Sequence, residues 1–402
     1  MDKIEELLTR GVEKIYPSYE ELEKVLKSGK KLKLYQGFDP TGIQLHIGHM
    51  VGLRKLRQWQ DLGHHVIFLI GDSTATVGDP TGKEKARPRL TKEQVLNNAR
   101  KYKEQASKLL RFQGENPIEI KYNSEWLGKM SGAEFMNLAS LVSYNQIIER
   151  DMFQKRLQKN ESIGVLELLY PILQGYDSVA MNVDLEIGGS DQTFNMLVGR
   201  TLVKSMLNKG KFVMTTPLLT DSKGVKIGKT EGNVIALTDK PEDLFGKIMA
   251  LPDDIILKGF EYLTDIPMSE IENVKKKIEK GENPIIYKKK LAFEIVKQLN
   301  DEINAKSAED SFRKTVQKGD VPIETIEIPK NRLTGAKCVD LFFSAGLGSS
   351  KSYIKRVLEQ AGGRMNNQIL KPNDDAEHTY KPENVYEFGR KKFKIKLGEE
   401  RP

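Results

Sequence analysis

Two histidines stand three positions apart in FDPTGIQLHIGHM (38–50), His46 and His49, with Gly48 between them. The chain spends two of its five histidines here, where a strand-like segment gives way to helical periodicity. That spacing suits a metal on a helix face. No third ligand stands nearby, however, and Gly48 offers a metal nothing. A glycine in a first helical turn instead lets a phosphate or a flat base approach free backbone N–H groups, where the helix dipole favours anions. The imidazoles add donors to the same phosphate. The plain alternative is a histidine pair that caps a helix. A second segment, GVKIGKT (224–230), sets Lys226, Lys229 and Thr230 in a glycine-rich loop. Two ammonium groups and a hydroxyl there suit transient binding of a triphosphate tail, although alone the loop reads as solvated surface. Third, Tyr170, Gln174 and Asp177 share one helix face at i, i+4 and i+7. Their segment, LELLYPILQGYDSVA (166–180), is otherwise apolar, which favours a buried polar face over a solvated stripe. Buried polar groups need partners.

The elements that must position these groups alternate. Residues 1–30 read as helical, with apolar Ile4, Leu7, Leu8 and Val12. KLKLYQGFD (31–39) reads as a strand running into a Pro-Thr-Gly turn. Met50, Leu53, Leu56 and Trp59 give a helix over 48–62, stopped by Gly63. HVIFLIGD (65–72), IEIKYNS (118–124) and VDLEIGG (183–189) read as further strands. Strands alternating with helices predict an α/β fold, a doubly wound parallel sheet with crossover helices. Ligands in such sheets sit beyond the carboxyl ends of the strands, at the point where strand order reverses. Residues 246–320 are rich in Lys, Glu and Ile and lack strand signals, which predicts an α-helical domain. Its run KKKIEKGENPIIYKKK (275–290) reads as a solvated face. VPIETIEIPKNRLTG opens a linker over 321–336, and 337–402 form a small basic unit.

The 402 residues are 30% charged and 38% hydrophobic, with a net charge of +8. The basic excess favours a nucleic-acid or phosphorylated partner. One cysteine, Cys338, excludes an internal disulfide framework and a multi-cysteine zinc site. The longest apolar run, Val66 to Ile70, is too short to span a bilayer. Asp2, Glu5 and Glu6 argue against a secretory or organellar leader, so the expectation is a cytoplasmic protein without membrane contact.

Together these segments resemble the class I aminoacyl-tRNA synthetases. HIGH (46–49) and KIGKT (226–230) are similar to the two signatures of that family, the second written KMSKS in the family pattern. YQGFDPTG (35–42), GDPTGK (78–83), YPILQGYD (170–177) and GGSDQ (188–192) resemble the tyrosyl branch, in its compact bacterial form, in the same order. The resemblance covers essentially the whole chain. It implies a Rossmann-like catalytic domain over 1–245, a tRNA-binding helical domain over 246–320 and a small α+β RNA-binding domain over 337–402. The implied activity is tyrosine–tRNA ligation, a step of translation. Tyrosine and ATP, the latter carried with Mg2+, give tyrosyl-adenylate and pyrophosphate, and the tyrosyl group passes to the terminal adenosine of tRNA. No bound cofactor and no metal ligand are implied, and the family is homodimeric.

Residue by residue, the resemblance implies that Tyr35 and Asp177 bind the substrate phenol. Asp79, Tyr170 and Gln174 would hold its ammonium, and Gln192 would lie near its carboxyl end. Gly37, Gly48, Gly189 and Asp191 would serve the adenosine, with Asp39 beside them. Thr41 and His46 would contact the terminal phosphate and His49 the ribose–phosphate region. Lys83, Arg87, Lys226, Lys229 and Thr230 would clamp pyrophosphate. Gln36 and Gly52 depart from some relatives and receive no substrate role. In the tail, AGLGSSKSYIKRVLEQAGGRMNNQ (345–368) resembles a small RNA-binding domain. Lys351, Lys355, Arg356 and Arg364 would contact phosphates there, with little base specificity.

Three alternatives remain beside this reading. The tryptophanyl relative shares both signatures, and the Tyr35–Asp177 pair argues against it. A small nucleotidyltransferase also uses HxGH, but lacks such a lysine loop and tail. A catalytically inactive RNA-binding paralogue would not need every substrate position filled.

Overall fold

The computed structural model describes residues 2–81, 90–230, 233–314, 323–332, 335–348, 350–366, 368–389 and 391–398. They fall into two compact units, residues 1–308 and 309–402.

The first unit is built on a six-stranded sheet. Its strands are β1 (Lys14–Tyr16), β2 (Lys33–Phe38), β3 (His65–Ile70), β4 (Glu119–Tyr122), β5 (Leu185–Gly189) and β6 (Phe212–Thr216), in the order β1-β6-β5-β2-β3-β4. All neighbours are parallel except β1 with β6. Strand β3 reads as a near-continuous apolar run because helices cover both faces of a parallel sheet. Val66 to Ile70 are all buried. The chain runs outward from β2 through β3 to β4, then returns to the other side of β2 for β5 and β6. The order therefore reverses between β2 and β5, and the carboxyl ends there, Phe38 and Gly189, flank the crevice where ligands bind in open α/β sheets.

Two helices bring the chemistry to that crevice. Ile47–Asp61 follows β2 and buries Met50, Leu53, Leu56 and Trp59, the positions whose spacing predicts it. Val165–Ala180 precedes β5 and packs closely on Thr193–Leu207. Gly175 and Gly199 allow this approach: a Cβ on Gly175 would lie 3.0 Å from the Gly199 nitrogen.

The amino terminus differs from its expected single helical stretch. Helices Lys3–Thr9 and Tyr19–Lys27 bracket β1, whose residues Lys14, Ile15 and Tyr16 pair with Thr215, Met214 and Val213. Gly11, at φ +60, lets the chain turn between the first helix and the strand.

Helices Pro241–Met249, Ile255–Leu263, Met268–Glu279 and Pro284–Leu299 follow, with no strand among the described residues of 241–314. These helices belong to the same compact unit as the sheet rather than standing apart beyond residue 245. Arg54, on the helix after β2, donates to Asp265 Oδ1 at 2.7 Å and also reaches the Thr264 carbonyl and Gln298.

The second unit is a five-stranded sheet with helices Cys338–Ser344 and Lys351–Glu359. Residues 323–329, expected within a linker, are a strand of this sheet. Ile323–Pro329 runs parallel to Lys391–Gly398, with Ile326 opposite Ile395 and Ile328 opposite Leu397. Ile326 and Ile328 lie two positions apart, a strand's period of two, and Ile328 joins a core of Phe342, Ile354, Leu358, Tyr386, Phe393 and Ile395. Its prolines lie at or before the strand's limits, where they cost no ladder bond.

Candidate active site

A cavity of about 440 Å³ opens at the reversal point, a size typical of small-molecule sites. Fifteen sequence-predicted positions converge on it from segments far apart in the chain: Tyr35, Gly37, Asp39, Thr41, His46, Gly48 and His49 from β2 and the following helix, Asp79 from the next turn, Tyr170, Gln174 and Asp177 from one helix face, Gly189, Asp191 and Gln192 from the end of β5, and Lys226 from the lysine loop.

At one end His46 caps the helix Ile47–Asp61. Its Nδ1 accepts the Gly48 N–H at 3.2 Å, and His49 Nδ1 accepts the His46 N–H at 3.1 Å, a reciprocal capping box. The ring centroids are 3.8 Å apart. With both Nδ1 atoms accepting, a neutral ring carries its proton on Nε2 and can donate there. Helix capping and anion binding are thus compatible uses of the same two side chains. The lysine loop meets this helix start directly. A Cβ on Gly48 would lie 3.5 Å from the Ile227 carbonyl oxygen, and one on Gly228, at φ +102, would lie 3.3 Å from the Gly48 nitrogen. Lys226 Nζ is 2.6 Å from Asp191 Oδ2, which ties the loop to the end of β5. Backbone pairing of Lys229–Thr230 with Asn233–Val234 closes the loop. Lys83 and Arg87 lie outside the described residues, as do the side chains of Lys229 and Thr230.

At the other end the groups are buried and mutually bonded. Tyr170 OH donates to Asp39 Oδ2 at 2.8 Å, and Thr74 Oγ1 donates to Asp39 Oδ1 at 2.7 Å. Asp39 therefore joins the polar helix face rather than standing apart with the nucleotide glycines. Gly71 is obligatory beside it, because a Cβ there would fall 2.0 Å from Asp39 Oδ1. Gln192 Nε2 donates to Asp79 Oδ2 at 2.8 Å. Asn195 Nδ2 donates to both Gln174 Oε1 and Gln192 Oε1 at 3.0 Å, which aligns the two glutamines. Burial, followed by the Asp39 and Asp79 charges, pushes the Tyr170 phenol well above its ordinary range. Asp177 accepts from Trp126 Nε1 at 2.8 Å and Asn123 Nδ2 at 3.3 Å. Burial nevertheless drives its carboxyl well above the usual carboxylate range, since desolvation disfavours the charged form.

Several residues of this network have no counterpart among the expected positions: Thr74, Asn123, Trp126, Ser178, Glu186, Asn195 and Lys211. Glu186 is the one with a visible signal, a lone carboxylate inside the apolar strand LEIGG (185–189). Lys211 has none, because its burial depends on β5 and β6 lying side by side. Gln36 and Gly52 also line the cavity. The Gln36 amide occupies the space a Gly52 side chain would fill, 2.3 Å from the ideal Cβ position.

In the second unit Lys351, Lys355, Arg356 and Arg364 are all exposed. Ser350 caps the helix by accepting the Tyr353 N–H at 3.2 Å, while Ile354 and Leu358 bury the opposite face. Lys351 pairs with Asp340 at 2.6 Å, and the Arg356 guanidinium lies 5.8 Å from the Tyr353 ring centre.

This geometry agrees with sequence relatives. Residues 27–317 match the family model for tRNA synthetases class I (W and Y). A tyrosine–tRNA ligase of Dehalococcoides mccartyi strain CBDB1 is 41% identical over 371 residues, 92% of this chain and 93% of its own. One from Thermotoga maritima is 41% identical over 393 residues, 96% of this chain and 95% of its own. Among solved structures, a C-terminally truncated mitochondrial tyrosyl-tRNA synthetase of Coccidioides posadasii superposes with a TM-score of 0.64 at 25% identity, covering 77% of this chain and 91% of that one. Another from Archaeoglobus fulgidus, complexed with L-tyrosine, shares the fold at 22% identity and a TM-score of 0.60, covering 77% of this chain and all, 100%, of that one. With a match spanning most of its length and a site that gathers both signature segments, the chain belongs to the class I tRNA synthetases of the W and Y family.

Proposed function

We infer that the chain activates tyrosine with ATP and transfers the tyrosyl group to tRNA. The observation that carries this reading is the single cavity running from buried Tyr35 and Asp177 to His46 and Lys226. Buried Tyr35 and Asp177 at one end and His46, His49 and Lys226 at the other support a phenol end and an anion end. Tyrosine binds with its phenol at Tyr35 and Asp177. Its ammonium lies at Asp79, Tyr170 and Gln174, with Asp39 fixing the Tyr170 hydroxyl, and its carboxylate lies near Gln192. Gly37, Gly48, Gly189 and Asp191 receive the adenosine. Leaving the phenol partners buried and unpaired is costly, so phenylalanine is a poor substrate.

No side chain need act as nucleophile or base. The tyrosine carboxylate attacks the α-phosphate, and pyrophosphate leaves. Catalysis is positioning of the two substrates plus stabilisation of the charge that develops. Thr41, the His46 and His49 Nε2–H donors, Lys226, Lys229 and Thr230 serve the phosphates, together with Lys83 and Arg87. Lys226 exchanges Asp191 for phosphate as ATP arrives, which frees the carboxylate for the ribose. Mg2+ enters as the counter-ion of the ATP substrate.

The exposed basic face of 351–364 takes tRNA phosphates. The chain pairs with a second copy through 125–165, a reading supported by exposed Met136, Tyr144 and Val165, each more than half accessible at 67%, 61% and 70%, since apolar patches of this kind mark association surfaces. None of the described helices is long and apolar enough to cross a membrane. Amino-acid-dependent exchange of labelled pyrophosphate into ATP tests the activation step. Exchange is expected with tyrosine alone, and exchange with tryptophan instead, or with none, overturns the reading.

A further inference from the structure

The stretch between the end of β2 and the helix Ile47–Asp61 carries Thr41 and His46, yet residues 39–45 are neither helix nor strand. Side chains from one helical segment hold its backbone instead. Asn98 Nδ2 donates to the Pro40 carbonyl at 2.9 Å, and the Tyr102 hydroxyl donates to the Gly42 carbonyl at 2.8 Å. Gln105 works both ways. Its Nε2 donates to the Ile43 carbonyl at 2.8 Å, and its Oε1 accepts the Leu45 N–H at 2.7 Å. A carbonyl only accepts and a backbone N–H only donates, so these directions have no alternative.

Asn98, Tyr102 and Gln105 are spaced i, i+4 and i+7, which sets them on one face of a segment made of helices Lys92–Ala99 and Tyr102–Ala106. Tyr102 and Gln105 are 2% and 3% exposed, so neither can readily trade its partner for water. The segment is itself anchored. Val95, Ala99 and Ala106 are buried. Just beyond them, Gln60 Nε2 donates to the Arg111 carbonyl at 2.7 Å and Arg57 Nη1 to the Leu109 carbonyl at 3.0 Å. Gln60 and Arg57 belong to the helix that His46 caps. One segment thus splints both the far end of that helix and the irregular stretch leading into it. Thr41 and His46 line the cavity, whereas Asn98, Tyr102 and Gln105 stand outside its lining.

We propose that Asn98, Tyr102 and Gln105 are positioning residues for adenylate formation, fixing the backbone of 40–45 so that Thr41 and His46 meet the phosphates. Asn98 and Tyr102 hold the carbonyls on either side of Thr41, at Pro40 and Gly42. Gln105 holds the N–H of Leu45, the residue before His46. From the opposite side the Leu237 N–H donates to the Leu45 carbonyl and the Ile47 N–H to the Ile235 carbonyl, each at 2.9 Å, so the approach to His46 is gripped twice. An irregular stretch left to itself would have to be ordered in every turnover. Ordering it beforehand takes that cost out of the reaction step. The inference rests on the cavity being the place where tyrosine meets ATP.

A double-mutant cycle tests the proposal. Single-turnover adenylate formation is followed with Tyr102→Phe, with Thr41→Ala and with both, and pyrophosphate exchange gives KM for tyrosine. Tyr102→Phe keeps the ring and loses one bond. It should slow adenylate formation about tenfold, part of the roughly 100-fold that a misplacement of about 1 Å costs. KM for tyrosine should stay unchanged, because that pocket stands on other elements. With Thr41→Ala already in place, the same change should cost about twofold or less, since residues that act through one another are not additive. In a Lys226→Ala background the full loss should return, because that lysine stands on a separate loop. Gln105→Glu adds a pH signature. Its protonated carboxyl reproduces both amide bonds, while the ionised form turns a charge on the Ile43 carbonyl. Its rate relative to the unaltered protein should climb as pH falls, whereas Gln105→Met should be slow at every pH. Equal losses from Tyr102→Phe with and without Thr41, a raised KM for tyrosine, or Gln105→Glu matching Gln105→Met across pH overturns the proposal. Asn98→Ala, at a half-buried position, takes the place of Tyr102→Phe in the cycle should that variant not fold. Absence of any tyrosine-dependent exchange in the unaltered protein overturns the function instead, and the inference with it.

Discussion

Lys226 on the glycine-rich loop and Asp191 at the end of β5 face each other at 2.6 Å, so the loop's first lysine is held over the cavity by a carboxylate that the nucleotide would claim. The pair is partly exposed, at 53% and 26% of the two side chains, and such pairs contribute only about 0–1 kcal/mol to stability. Lys226→Ala should therefore leave the thermal midpoint almost unchanged. Tyrosine activation should nevertheless slow by about 100-fold, the typical loss for one transition-state charge donor. Pre-steady-state adenylate formation with parallel calorimetry checks both halves.

Gly228 sits where the loop touches the helix start, at φ +102 and with Ile47 Cγ2 only 2.8 Å from an added Cβ. Gly228→Ala should displace the loop. The expected outcome is a lower activation rate at saturating ATP with an unchanged KM for tyrosine, since the phenol end lies on other elements. Steady-state exchange kinetics give the split directly.

Gly52 and Gln36 form a size-complementary pair. Gly52→Ala alone should destabilise the protein by about 1–3 kcal/mol, the usual effect of overpacking. In a Gln36→Ala background the clash is gone. The same change should then stabilise by about 0.5–1 kcal/mol through helix propensity. A double-mutant cycle by urea unfolding measures the coupling.

Lys55 donates to the Leu7 and Arg10 carbonyls at 2.9 and 2.6 Å. Burial first, then the neighbouring Arg10 and Arg54 charges, pull its amine down from 10.5 to about 7. Between those values the unfolded chain holds a proton that the folded one has released. Stability from this group must therefore rise with pH across that window and be lowest below about 7. Urea midpoints between pH 7 and 9.5 should climb for the unaltered protein relative to Lys55→Met, in which the difference is absent.

Truncation separates the two chemical steps only if the cut respects the units. A chain ending after residue 314 should form tyrosyl-adenylate and fail to charge tRNA. A chain ending at 337 keeps the strand 323–329 without its partner 391–398, and should aggregate, because an unpaired strand edge templates further pairing. Adenylate burst, charging assays and light scattering distinguish these outcomes.

Part of the cavity was legible from short patterns in the sequence: a histidine pair at a helix start, a lysine loop, three polar groups on one helical face; Tyr35, Asp79 and Gln192 came only from the family resemblance. What lay beyond reading was chemistry made by adjacency between strands. Lys211 carries no periodic or motif signal, and becomes a buried cation only once β6 lies beside β5. The resemblance set Asp39 beside the nucleotide glycines, and its bond from Tyr170, 131 positions away, could not be read from the sequence. The strand 323–329 was obscured by its prolines and by the lack of a clean alternation, since Ile323 and Ile326 are three positions apart. At the amino terminus the helical periodicity of Ile4, Leu7 and Leu8 was real but short, and the pairing of β1 with β6 could not be seen from residues 1–30 alone.

The second unit's sheet carries a constraint on how the protein is made. Lys391–Gly398 lies inside the sheet, flanked by Tyr386–Phe388 on one side and Ile323–Pro329 on the other. As the chain leaves the ribosome, the strand at 323–329 must wait for some sixty further residues before its sheet neighbour among the described residues exists, and such non-local pairing is slow. The first unit can be complete while the second is still an open edge. Synthesis then delivers the two units in order, the large sheet first and the small one last.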